Sequence, residues 1–217
     1  MSEAASAGGS RGAELWLELL STILIAVAAV ATAWSGYQSA RWSGEQAKAY
    51  ARANAARLES TRASALANTQ TQIDVAIFTQ WVDAFALGQE ELADFYFARF
   101  RDEFRPAIDA WTATKPRQNP EAPLSPFAMP EYELEARAEA DRLEAVATAE
   151  SDDASTFNQR SDNYVLAVVL FATSLFFAGI STRLPTSRSR AAILALGYVV
   201  FAATLFWVAT FPVNVGV

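Results

Sequence analysis

The chain has 217 residues, 52% of them hydrophobic, with 17 Lys and Arg against 24 Asp and Glu and a formal net charge of −7. That balance excludes a nucleic-acid partner, which needs clustered cations to neutralise phosphates. With no Cys and no His, disulfides, thiolate and imidazole metal ligands, a thiol nucleophile and a Ser-His-Asp triad are excluded too.

Residues 1–14 form a short N-terminus whose one cation is Arg11. Residues 15–34 follow as a first apolar run in which Glu18, near one end, is the only charge. A helix of about 20 mostly apolar residues crosses a ~30 Å hydrocarbon core, so this run predicts transmembrane helix 1. Ala31-Thr32-Ala33 also reads as a small-residue cleavage pattern, which leaves a secretory signal peptide as the alternative. Against it, Arg11 is outweighed by Glu3, Glu14 and Glu18, whereas a signal n-region is positive. Either reading sends the following segment outward.

The run ends in a doubled sequence, WSGYQSAR then WSGEQAKA, from Trp34 to Ala49. On a helix Ala28, Thr32, Gly36, Ala40 and Gly44 fall at steps of four, a small-residue seam that admits a close neighbour. Trp34 and Trp42 are eight positions apart, about 80° around the helix, so they cannot stack as one surface. Three fillers of the seam stay open: a later helix of the same chain bearing Ala136, Ala140 and Ala147, a second copy of the chain, or a ligand.

Residues 35–163 read as an extramembrane, all-helical region. The chain has no proline before Pro106, and residues 45–70 are rich in strong helix formers. The first span therefore continues outward as a rod. A second helical stretch, about 71–114, carries Ile73, Ile77, Trp81 and Phe85 on one face. Ala93, Phe97, Phe100, Phe104, Ile108 and Trp111 then continue the stripe at steps of three and four. Pro106 either kinks this helix, or the helix ends near Phe104 and restarts with Pro in its first turn. The stretch ADFYFARFRDEFR interleaves aromatics with Arg99, Arg101 and Arg105, but Asp94, Asp102 and Glu103 offset the cations. An apolar core face with a solvated back is expected, and a membrane-surface or partner-docking face is the alternative. Residues 115–130 hold five of the eight prolines and read as a loop. Residues 131–182 contain no proline and predict a third rod that descends into the membrane. Glu133 with Arg137, and Glu139 with Arg142, sit at helix-neighbour spacing on it.

Residues 164–182 and 191–211 are uncharged and predict transmembrane helices 2 and 3. Trp16, Trp34, Tyr164 and Trp207 fall where interfacial aromatics are expected. Between the two spans, residues 183–190 carry Arg183, Arg188 and Arg190 and no acid. Short Arg-rich links stay cytoplasmic, which places the N-terminus inside and both residues 35–163 and the tail 212–217 outside. The predicted fold is an all-α membrane protein: three transmembrane helices, with long helices extending into a coiled-coil hairpin or bundle.

No constellation for catalysis emerges. Glu90-Glu91, Asp102-Glu103 and Asp152-Asp153 are sequence neighbours, which point about 100° apart on a helix and do not converge on a substrate. An oxygen-only cation site at residues 151–153 is a minor alternative. No phosphate-binding loop, dinucleotide fingerprint, nucleophile elbow or metalloprotease motif is present. The last two spans lack an ionisable group to carry ions; Glu18, a turn inside the first, reads as interfacial. Neither a cofactor nor a small-molecule substrate is expected.

The end of span one followed by WSGYQSARWSGEQAKAY, and the pair VLAVVLFATSLFFAGI and AAILALGYVVFAATLFWVA around RLPTSRSR, resemble small bacterial inner-membrane proteins of unknown function. Those are built from one N-terminal span, a helical extramembrane region and two C-terminal spans. The resemblance implies a multi-pass topology in the bacterial inner membrane and no activity; the aromatic 73–111 segment and the proline loop have no counterpart in it. The expected function is a non-enzymatic scaffold or accessory subunit, with the lipid bilayer and a second copy or another envelope protein as partners. The alternative is a sensor that relays a helix shift across the membrane.

Overall fold

The computed structural model describes residues 3–215, with side chains from Glu14 onward. Arg11 and the far end of the tail therefore lie outside the described side chains. The element order is α1 (Glu3–Ala86), α2 (Glu90–Phe97), α3 (Arg105–Ala113), a single 3-10 turn at Pro126–Ala128, α4 (Glu135–Ser181) and α5 (Ser187–Val208). No strand occurs among the described residues. Three helices are long and apolar enough to cross a membrane: those spanning Glu14–Ala86, Glu135–Ser181 and Ser187–Val208.

Several boundaries differ from the sequence-based expectation. α1 does not break near residue 70, because no Pro or Gly lies between Ala63 and Ala86 to interrupt it. It stops where Gly88 takes φ +72°, the left-handed position that a helix C-terminus favours and that costs glycine least. The stripe from Ala93 to Trp111 is not one helix. α2 ends at Phe97, and α3 starts at Arg105 with Pro106 in its first turn, where a missing N–H costs nothing. α4 begins at Glu135, four residues later than the Pro-free run suggested. α5 begins at Ser187, so Arg188 and Arg190 lie in its first turn and only Arg183 lies in the link. Thr186 caps it, its hydroxyl accepting from the Ser189 N–H at 3.3 Å.

The chain divides into two compact units, residues 1–50 with 151–217, and residues 51–150. In the first, parts of α1 and α4 run antiparallel with α5 beside them. Many small side chains lie inside this unit, beside Leu24, Tyr164 and Phe171, and many large apolar ones lie outside. Leu15, Leu19, Ile23, Val30, Val169 and Phe206 are exposed, whereas Ser21, Ala28, Ser35, Ala167, Ser174 and Ala178 are buried. Packing small residues inside and presenting large aliphatic ones outside is how helices associate when the surroundings are as apolar as leucine. Gly197 of α5 sits at a close approach: a Cβ there would lie 3.2 Å from Leu24 Cδ2 and 3.3 Å from Phe177 Cβ.

The second unit pairs the middle of α1 with the start of α4 and folds α2 and α3 against them. Alanines line the helix pair: Ala53, Ala56 and Ala67 from α1, and Ala136, Ala140 and Ala147 from α4, are all buried. The Ser60 hydroxyl crosses it to donate to the Ala140 carbonyl at 2.9 Å, and Arg52 bridges to Glu150 at 2.8 Å. A separate aromatic core centres on fully buried Phe104. Phe127 stacks on it at 5.0 Å, and Phe100 and Tyr132 meet it edge-on at 5.1 and 5.7 Å. Truncating a phenylalanine so enclosed costs about 3–5 kcal/mol.

Candidate functional site

The doubled sequence supplies the residues that join α1 to α4 in the first unit, but not through its glycines. Ser39 and Ser43 each share a hydrogen bond with the Ser161 hydroxyl, at 3.0 and 2.9 Å. Gln46 Nε2 donates to Asn158 Oδ1 at 2.9 Å. Trp42 is buried, stacked on Phe157 at 5.6 Å, with the Arg160 guanidinium 4.6 Å over its ring. Trp34 is exposed, with the Tyr37 ring 5.9 Å away. The two halves of the repeat thus face different surroundings, as the ~80° offset between the tryptophans requires.

Of the seam expected at Ala28, Thr32, Gly36, Ala40 and Gly44, only Ala28 is fully buried, and Thr32 is half-buried with its hydroxyl donating to the Ala28 carbonyl at 2.7 Å. Gly36, Ala40 and Gly44 are exposed, and a Cβ at either glycine would meet nothing within 4 Å. The expectation that α4 fills this stripe is therefore corrected. Each step of four overshoots a 3.6-residue turn by about 40°, so the line from Ala28 to Gly44 swings about 160° around α1. A line at steps of seven drifts only about 20° per step, and it is the one that stays inside. Ser21, Ala28, Ser35, Trp42 and Ala49 are all buried. Ala136, Ala140 and Ala147 do line α4's seam, opposite other alanines and serines.

Tyr164, expected at the membrane interface, is fully buried within the chain. Its hydroxyl donates to the Pro212 carbonyl at 3.2 Å, and its ring meets Phe211 edge-on at 5.3 Å. Trp16 is 66% exposed, and Trp207 is half-buried against Phe211 at 4.7 Å. Arg183 and Arg188 are exposed and Arg190 half-buried. On the expected aromatic face Phe100, Phe104 and Ile108 are buried and Trp111 is half-buried, while Phe97 lies outside the core at 38% exposure.

Sequence reasoning missed the charged centre of the second unit. Asp74 is buried on α1. Arg101 Nη1 reaches its Oδ2 at 3.0 Å, and the Tyr132 hydroxyl donates to the same oxygen at 3.1 Å. Arg101 also pairs with Glu103, whose other oxygen accepts from the Glu135 N–H at 3.2 Å and so caps α4. Burial pushes the Asp74 carboxyl above its ordinary 3.8, against the opposing pull of Tyr132 and Arg101. Burial likewise raises the Tyr132 hydroxyl. The available signal was the seven-residue step linking Ala67, Asp74 and Trp81, which puts an acid in line with core positions. Among the described residues no cluster of three or more Asp or Glu side chains is placed to hold a metal ion.

No protein-family model, no curated protein and no solved structure matches the chain, so its function is read from its own residues.

Proposed function

We propose that the protein is a non-enzymatic integral membrane scaffold or accessory subunit that oligomerises or docks a partner through the helical region beyond its spans. The observation that carries this reading is the two-faced build of α1 just after its first apolar run. One face, Ser35, Gln38 and Trp42, is filled from within the chain. The other, Gly36, Ala40 and Gly44 beside exposed Trp34 and Tyr37, is bare and shaped for close backbone approach by another helix. The setting is a bacterial inner membrane with residues 35–163 on the extracytoplasmic side. The resemblance in the spans and the unopposed Arg183, Arg188 and Arg190 support that orientation.

Crosslinking in intact membranes tests it. The wild type is expected to give a crosslinked assembly, and a Gly36→Leu, Gly44→Leu double variant is expected to insert normally but to lose that species. A wild type that stays monomeric and captures nothing, or a variant that crosslinks as before, overturns it. One observation favours the sensor reading instead. Asp74 is a buried acid tied to Arg101 and Tyr132, which lie on two other segments, and a relay needs an element whose arrangement can switch.

A further inference from the structure

The second unit holds a cleft of about 280 Å³ that the scaffold reading does not use. Trp81 and Phe85 form one wall, stacked at 5.5 Å and 22°. Trp111 of α3 forms the other; its indole N–H donates to the Pro123 carbonyl at 2.7 Å, so its ring is held before any ligand arrives. The rim is the turn Lys115-Pro116-Arg117. This is a mostly apolar cleft with two cations at its mouth. Its volume is just under the ~300 Å³ at which small-molecule sites begin.

The rim is not a charge-balanced surface. Several lysines and arginines of this acidic chain pair with a carboxylate, as Arg52, Arg62, Arg101 and Arg142 do. Neither Lys115 nor Arg117 enters an ion pair among the described residues; the Arg117 guanidinium lies 5.7 Å over the Phe85 ring, at the cleft itself. Lys115 is also the one non-glycine among the described residues with positive φ, +53°. It occupies the left-handed position just past α3, a place where glycine is the low-strain choice. A lysine held there puts a cation on the rim at a steric cost, and an outlier of this kind is a reason to look for a function.

The geometry points to a binding site for a small amphipathic carboxylate. Its flat ring or short acyl tail lies between Trp81, Phe85 and Trp111, and its carboxylate meets Lys115 and Arg117. The cleft is too small for a long-chain lipid and too apolar in its walls for a hydrophilic anion such as inorganic phosphate.

Equilibrium dialysis of the full chain in nanodiscs against labelled 2-naphthoate tests this, with empty nanodiscs as the blank. Saturable binding at one site per chain is expected. A Lys115→Ala, Arg117→Ala variant should bind about tenfold more weakly, the scale of losing charge-assisted hydrogen bonds. Both positions are exposed, so the fold survives the change. Lys115→Gly should weaken binding while raising thermal stability, which separates lost recognition from lost structure. Absent saturation, equal binding by the double variant, or equal binding of uncharged 2-naphthalenemethanol overturns the proposal. Competition by inorganic phosphate as strong as by unlabelled naphthoate overturns it as well, by assigning the site to the anion alone.

Discussion

Gln38 and Asn214 lie 176 positions apart and are joined by a reciprocal pair of hydrogen bonds. Gln38 Nε2 donates to the Asn214 carbonyl at 3.3 Å, and the Asn214 N–H donates back to Gln38 Oε1 at 2.9 Å. The side chain of a fully buried glutamine thus acts as a peptide group would, pairing with a tail that has left its helix. Replacing Gln38 by Leu removes both of these bonds from the half-buried Asn214 backbone, at about 0.5–1.5 kcal/mol each. Hydrogen exchange at the Asn214 amide should accelerate by about tenfold or more, with the three spans unaffected. Unchanged exchange would show that the tail is held elsewhere.

The glycines separate by surroundings. Gly197 has Leu24, Phe177 and the Ser174 carbonyl within 3.4 Å of where a Cβ would sit. Gly197→Leu should therefore overpack α5 and destabilise the first unit by about 1–3 kcal/mol, read as a lower midpoint of thermal unfolding in detergent. Gly36→Ala and Gly44→Ala have open space and should each stabilise the monomer by about 0.5–1 kcal/mol, the helix-interior difference between the two residues. A loss of monomer stability at Gly36 or Gly44 would contradict the geometry described for α1.

Asp74 makes the second unit's stability depend on pH in a direction opposite to that of an ordinary paired carboxylate. Its folded value is raised above 3.8, so the folded state holds the proton more tightly than the unfolded chain does. The group's contribution is fully present below 3.8 and is lost as pH rises through the raised folded value. Urea unfolding followed by tryptophan fluorescence, at acid and neutral pH, reads this as a difference. Asp74→Asn should remove that component, leaving a variant that loses less stability than the wild type on going from acid to neutral. An identical pH dependence in both proteins would mean that Arg101 and Tyr132 cancel the desolvation.

The three apolar helices were legible because a span is a property of composition over ~20 residues, and no partner is needed to read it. What escaped depended on residues brought together from afar. Asp74 meets Arg101 across 27 positions and Tyr132 across 58, and the seven-residue step through Ala67 and Trp81 does not name those partners. The restart at Pro106 was one of two readings the sequence offered, but the end of α2 as early as Phe97 escaped: Phe97, Phe100, Phe104 and Ile108 keep helical spacing although the chain turns, because a turn folded around a core can present the same intervals as a helix. Gly36 and Gly44 misled because steps of four look like a stripe over two turns and become a spiral over four. Gly197, the glycine that a close approach requires, stands alone in its span and so carried no pattern.

The alanine lining of the helix pair has one further consequence. Ala140, Ala147 and Ala154 of α4 repeat at steps of seven and are all buried. Sliding that helix along its neighbour by seven residues would replace alanine with alanine, and shape alone would hardly notice. Registry is then indexed by what else crosses the pair: Trp42 on Phe157, Ser39 and Ser43 on Ser161 and Gln46 on Asn158 in one unit, Ser60 on the Ala140 carbonyl and Arg52 on Glu150 in the other. Each polar contact contributes little as an isolated bond, yet together they choose one alignment from several of nearly equal packing, as a single polar pair does in a coiled coil. On this view the serines of the seam are a ruler more than a glue.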